Sequence, residues 1–238
     1  MPNPIAIKET GLVRAGLAAA WPICLGYFPI GLSLGVLAQK GGLAPWQMAA
    51  MSLLVFAGGA QFIAVAMLAT GASALAIVST VFMVNLRHLL MSSALAVHFP
   101  GVSRRFLALF AYGLTDESFA VNLTRFNQGG WNRFSALTLN HAANATWVVS
   151  TVAGVYLGQL VPPGAAGVDY ALTGMFLCLL AFQISSPIFT ATALLAAVLS
   201  LLTYLWLPGN AYVLVASSLA ATAGLALKRA WRKREKTS

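Results

Sequence analysis

Apolar residues run along this chain in long blocks separated by short polar or Gly/Pro-rich joints, and the blocks set the expected elements. At about 20 residues per membrane-crossing helix, spans are expected near 15–38, 45–69, 72–98, 105–124, 135–160, 169–188, 189–207 and 210–228. The joints are short: Gln39-Lys40-Gly41-Gly42, Gly71, Pro100-Gly101, Asn127-Gln128-Gly129-Gly130, Pro162-Pro163-Gly164 and Pro208-Gly209-Asn210. None is long enough to separate two domains. The expected architecture is an all-α polytopic integral membrane protein of about seven or eight transmembrane helices. It has one domain over 15–228, an N-terminal tail over 1–14 and a basic tail over 229–238.

Composition agrees. Of 238 residues, 59% are hydrophobic and only 8% charged, where a soluble domain carries roughly a quarter. Such a chain cannot cover its own surface with charge, so its solvent is lipid. The net charge of +9 would suggest nucleic acid if it formed an aromatic-interleaved patch. Instead Lys228, Arg229, Arg232, Lys233, Arg234 and Lys236 crowd behind the last apolar block. That placement marks a cytoplasmic C-terminus facing anionic lipid and excludes a nucleic-acid role. Cys24 and Cys178 lie far apart in apolar blocks and read as small core residues rather than a disulfide or metal pair. The first block exceeds a signal-peptide h-region of roughly 7–15 residues, so it is read as an uncleaved span.

Eight crossings place both termini inside, with Lys8, Arg14, Arg125 and Arg133, but leave Arg104 and Arg105 outside, against the positive-inside rule. A re-entrant or half-length segment, or seven full crossings, would remove the conflict.

The chemistry is carried by polar residues inside the blocks. Arg87 alone among 14 Lys and Arg residues lies deep within an apolar run, in Val84-Asn85-Leu86-Arg87-His88-Leu89. An ionisable residue at membrane depth marks function by default. Of five acidic residues, Asp116 and Glu117 lie within the run from Phe106 to Leu123 and are the natural partners for Arg87. They point about 100° apart on a helix, so one can pair with Arg87 while the other faces a cavity. Asn85, Arg87 and His88 are expected to spread over more than half of the helix circumference, so no single cavity-facing stripe holds all three. This segment is therefore expected to be enclosed by protein on most sides or broken near the midplane, where unwound backbone is tolerated only in a protein-lined cavity. His88 is either a proton relay or an interhelical hydrogen-bonding group.

Gly26, Pro29 and Gly31 in the first span, and Gly58 and Gly59 in the second, point to a helix break or close packing. Gln61 adds a donor and acceptor at depth. Asn140 and Asn144 share a helix face near His141 and Trp147. The sequence contains no nucleotide-binding loop, metal-spaced His/Glu pair or nucleophile elbow. No enzyme activity, metal or cofactor is therefore expected.

The order Gly26-Tyr27-Phe28-Pro29-Ile30-Gly31, Phe56-Ala57-Gly58-Gly59-Ala60-Gln61-Phe62, Asn85-Leu86-Arg87-His88, Leu114-Thr115-Asp116-Glu117-Ser118-Phe119 and Val168-Asp169-Tyr170 resembles the AzlC family from about Val13 to Phe182. Members of that family are large subunits of bacterial branched-chain amino acid exporters. The resemblance implies export of valine, leucine or isoleucine across the bacterial inner membrane, with a small AzlD-type membrane subunit as partner. For such a zwitterion, Arg87 suits the carboxylate and Asp116 or Glu117 the ammonium. Phe56, Phe62 and Phe119 are candidates for the apolar wall. Export without ATP needs an ion gradient, with His88 or the spare carboxylate as proton carrier. A channel or scaffold whose specificity resides in the partner is the alternative, as is a transporter of other small apolar solutes.

Overall fold

The computed structural model describes residues 9–160, 177, 181, 187–206, 215–216, 219–220 and 222–226. The chain separates into two compact units, Met1–Leu172 and Thr173–Ser238, although no linker-like composition marks the boundary. Every regular element among the described residues is an α-helix. In the first unit these are α1 (Glu9–Lys40), α2 (Pro45–Leu54), α3 (Gly58–Ala69), α4 (Ala74–Ala96), α5 (Arg104–Tyr112), α6 (Asp116–Gln128) and α7 (Arg133–Gly158). In the second, α8 (Pro187–Trp206) fills the span expected at 189–207, and Gly224 packs against its Thr192. The expected spans at 169–188 and 210–228, the basic tail and Cys178 lie largely or wholly outside the described residues.

At a rise of 1.5 Å per residue, α1, α4 and α7 reach about 48, 35 and 39 Å, each enough to cross a hydrocarbon core of about 30 Å. Their directions follow from side-chain contacts. Gly16 meets Ser135 and Thr138, Gly31 meets Ser150, Gly35 meets Gly154, and Gly158 meets Gln39, so α1 and α7 run parallel. Glycines at the seam let the two backbones approach closely. The α4 helix runs the other way. His98, just past its end, stacks on Phe126 at 4.8 Å and shares a small cavity with Arg133 at the start of α7.

These directions decide the path of the shorter helices. The α2–α3 pair leaves the end where α1 finishes, the distal end, and must return there to begin α4. The α5–α6 pair leaves the proximal end, where α4 finishes, and returns there to begin α7. Phe106 meets the ring of Phe134 on the way in, and Phe126 meets His98 on the way back. Both pairs are therefore re-entrant, with arms of roughly 14–20 Å that reach about half the bilayer. Of the first five expected spans, those at 15–38 and 72–98 become helices long and apolar enough to cross a membrane. That at 135–160 becomes the equally long α7, and those at 45–69 and 105–124 become two opposed pairs of half-length helices.

Local sequence explains where the arms stop. Gly58 and Gly59 follow the α2 stop, where weak helix formers sit together. The second arm reverses through Gly113-Leu114-Thr115; Thr115 and Ser118 form a reciprocal cap, and Asp116 and Glu117 occupy the first turn of α6, where anions suit the helix dipole. The carbonyls freed at the tips are paired: Tyr112 Oη donates to Leu53 O at 2.5 Å, and Asn140 Nδ2 donates to Phe110 O at 3.1 Å. An unpaired carbonyl at this depth would cost several kcal/mol.

Two expectations are corrected. The Asn85–His88 segment is not broken: α4 holds neither Gly nor Pro and runs unbroken. Nor is it enclosed on most sides, because Leu75, Val78, Phe82, Leu89 and Leu90 are exposed. Around the axis, Asn85, Arg87 and His88 fall within an arc of about 160°, so one side of an intact helix carries them all. Pro29 likewise breaks nothing, since α1 continues through Pro22 and Pro29 and is held along its length by α7. Gly31 packs closely on Ser150, whereas Gly26 has no neighbour in reach.

Candidate functional site

The tips of the two re-entrant pairs meet near the middle of the unit, between α1, α4 and α7. There Arg87 Nη1 lies 2.6 Å from Asp116 Oδ2, with side chains 37% and 47% exposed. Of the two acidic candidates, Asp116 pairs with Arg87. Glu117 turns to α1, where Tyr27 Oη donates to Glu117 Oε2 at 2.5 Å. The Tyr27 oxygen also lies 2.7 Å from Thr115 Oγ1.

Helix ends shape the electrostatics. The Asp116 carboxylate sits at the positive end of α6. The first turn of α3 has no side-chain cap, because Ala57 occupies the cap position. Next to it, a Cβ on Gly59 would stand 3.7 Å from Arg87 Nη2. A guanidinium and two helix N-termini thus converge at mid-depth, with Asp116 as the anion that balances them. An incoming carboxylate would meet the same donors.

An open cavity of about 560 Å³ lies on the side of α4 that carries Asn85 and His88; neither Arg87 nor Asp116 lines it. Its wall is apolar, with Phe56, Ala60, Ile77 and Val81, and its polar rim is Gln61, Asn85, His88 and Tyr112. His88 Nδ1 lies 3.2 Å from Asn85 O, within its own helix. Of the three phenylalanines expected to form the wall, Phe56 does so. Phe62 is buried in the core, and Phe119 packs into the aromatic cluster around Phe99 and Phe110.

The remaining polar residues form the scaffold. Trp147 Nε1 donates to Gln61 Oε1 at 2.6 Å, Gln61 Nε2 donates to Ser52 Oγ at 3.3 Å, and Ser52 and Thr151 share a hydrogen at 2.9 Å. This chain ties α2, α3 and α7 together, and Gly58 packs on the Trp147 ring. Asn140 joins Asn122 at 2.9 Å, and Trp131 Nε1 donates to Asn122 Oδ1 at 2.8 Å. Asn144 is buried, and His141 stacks on Tyr112.

Sequence reasoning did not single out Tyr27, Thr115, Tyr112 or Ser52. One signal was available: a Thr-x-x-Ser cap with two acids in the first turn, inside an apolar run, announces a helix start at mid-depth. Tyr27 and Ser52 carry no such signal, since each is ordinary inside a helix until its distant partner is known.

A family model described as AzlC protein matches residues 22–161, a range containing both re-entrant pairs. The chain belongs to the AzlC family. It is 28% identical over 205 residues to the inner membrane protein YgaZ of Escherichia coli, covering 82% of this chain and 84% of that one. It is 26% identical over 207 residues to the branched-chain amino acid transport protein AzlC of Bacillus subtilis, covering 85% and 80%. An uncharacterized membrane protein of Archaeoglobus fulgidus is 32% identical over 178 residues, covering 74% and 77%. No solved structure matches this AzlC-family chain.

Proposed function

We propose that the chain is the large subunit of a secondary exporter of branched-chain amino acids in the bacterial inner membrane, working with a small AzlD-type membrane subunit. The observation that carries the reading is the Arg87–Asp116 pair between two re-entrant tips, with an apolar cavity on the side of α4 that carries Asn85 and His88. A zwitterion with an aliphatic side chain matches these parts. Its carboxylate exchanges with Asp116 at Arg87 and the helix N-termini, the released Asp116 receives the ammonium, and the side chain lies against Phe56. Each ionic contact is replaced rather than lost, which keeps an unpaired charge out of the low-dielectric interior. The printed name of the Bacillus relative supports this substrate class.

Re-entrance also supports an orientation. Arg14, Arg104, Arg105, Arg125 and Arg133 fall at the proximal end and Lys40 at the distal end, so the proximal end is assigned to the cytoplasm.

The half-exposure of Arg87 and Asp116 favours a second reading, in which the partner subunit completes the site and sets its specificity. Counterflow of labelled leucine, valine and isoleucine into liposomes separates the two. Exchange by this chain alone supports a self-sufficient site, and exchange only with the small subunit supports the shared one. Failure of all three substrates in both preparations sinks the transport reading.

A further inference from the structure

We propose that Glu117 is the group through which a proton gradient drives this transport, and that Tyr27 is its positioning residue. The proposal rests on the transport reading above and names the residue that couples it. Two adjacent carboxylates in the first turn of α6 have different partners. Asp116 is matched by the Arg87 guanidinium. Glu117 has no cation within ion-pair distance among the described residues, and its hydrogen-bond partner is the Tyr27 phenol. A charge at membrane depth is tolerated when it is paired or reaches a water-filled path, and Glu117 is exposed in this unit. It can therefore gain or lose a proton without breaking the Arg87–Asp116 pair.

The surrounding hydroxyls suit both states. When Glu117 is ionised, Tyr27 donates to Oε2 and its oxygen can accept from Thr115, 2.7 Å away. When a proton from the distal-side water has joined the carboxylate, the Glu117 hydroxyl donates to Tyr27. Tyr27 then donates to Thr115 Oγ1, which in turn donates to Ser118 Oγ at 3.3 Å. Only the delivered proton is gained, and release to the proximal side restores the first arrangement. The change is felt at both re-entrant tips, because the Tyr27 ring also meets Phe56 at 6.4 Å and Trp147 at 5.2 Å. The charged or titratable groups around this point are Arg87 and His88 on α4, Asp116 on α6 and Tyr27 on α1. On α7, His141 sits further along against Tyr112.

The test uses the full chain in whichever liposome preparation supports leucine counterflow. Exchange needs no net proton movement, whereas accumulation against a gradient does. E117Q is expected to retain counterflow and lose accumulation driven by an imposed pH difference. Y27F is expected to keep driven transport with a displaced pH profile. Driven accumulation by E117Q at the parental rate overturns the proposal. So does loss of counterflow together with leucine binding, which would place Glu117 in the substrate site or the fold. An unmoved pH profile in Y27F removes Tyr27 from the device. If the parent exchanges leucine but ignores the pH difference, the coupling proposal fails and the transport reading stands. If the parent exchanges no branched-chain substrate, both fall.

Discussion

Tyr112 donates its hydroxyl to the carbonyl of Leu53 at 2.5 Å, joining the tip of the arm that enters from the proximal end to the tip of the arm that enters from the distal end. The bond satisfies a backbone acceptor in the last turn of α2, whose i+4 amide, Ala57 N, bonds Val55 O instead. It also fixes the separation of the two tips that frame the Arg87 site. Tyr112→Phe is expected to lower stability by about 0.5–1.5 kcal/mol, the net worth of one hydrogen bond, because both residues are partly exposed. Thermal unfolding in detergent measures the loss, and an unchanged midpoint would mean that water or lipid satisfies Leu53 equally well.

Re-entrance makes a topological prediction. Single cysteines at Arg105 and Gln128, in a background lacking Cys24 and Cys178, are expected to react with an impermeant thiol reagent from the same side. Cysteines at Trp46 and Thr70 should react together from the other side. These positions are exposed and flank the two re-entrant pairs. Labelling of Arg105→Cys and Gln128→Cys from opposite sides would restore the 105–124 block to a full crossing.

At the site itself, Arg87→Lys keeps the charge but loses the planar fork that holds a carboxylate at two points. Leucine counterflow is expected to fall by about tenfold or more, the scale of a lost charge-assisted hydrogen bond, while the protein still inserts. Parental exchange would remove Arg87 from the carboxylate site.

Gly59 offers a graded version of the same test. A Cβ there stands at ordinary contact distance, 3.7 Å from Arg87 Nη2, so Gly59→Ala should fold and transport. Gly59→Leu should displace the guanidinium from Asp116 and lose counterflow. Equal transport by both variants would show that the tip has room the structure does not indicate.

Along the α1–α7 seam there is no such room. A Cβ on Gly154 would collide with the backbone carbonyl of Leu32, and backbone cannot turn aside as a side chain can. Gly154→Ala is expected to cost about 1–3 kcal/mol, as overpacking generally does, and to lower the unfolding midpoint. A wild-type midpoint would mean that α1 slides along α7 at little cost.

The sequence alone settled the solvent and the inventory. A chain with 8% charged residues must face lipid, and its few deep polar groups, Arg87, Asp116, Glu117 and Gln61, had to find one another or a cavity. Block lengths also located α1, α4, α7 and α8 to within a few residues. Tertiary structure decided which blocks cross and which turn back. A run of 20–25 apolar residues has the same hydropathy whether it traverses the bilayer or reverses halfway. Only contacts with distant helices, such as His98 on Phe126 or Gly16 against Ser135, reveal the direction. The same limit applied to pairing. Adjacent carboxylates look alike in a sequence, and it took the placement of α4 and α1 on two sides of the α6 start to give Asp116 a guanidinium and Glu117 a phenol.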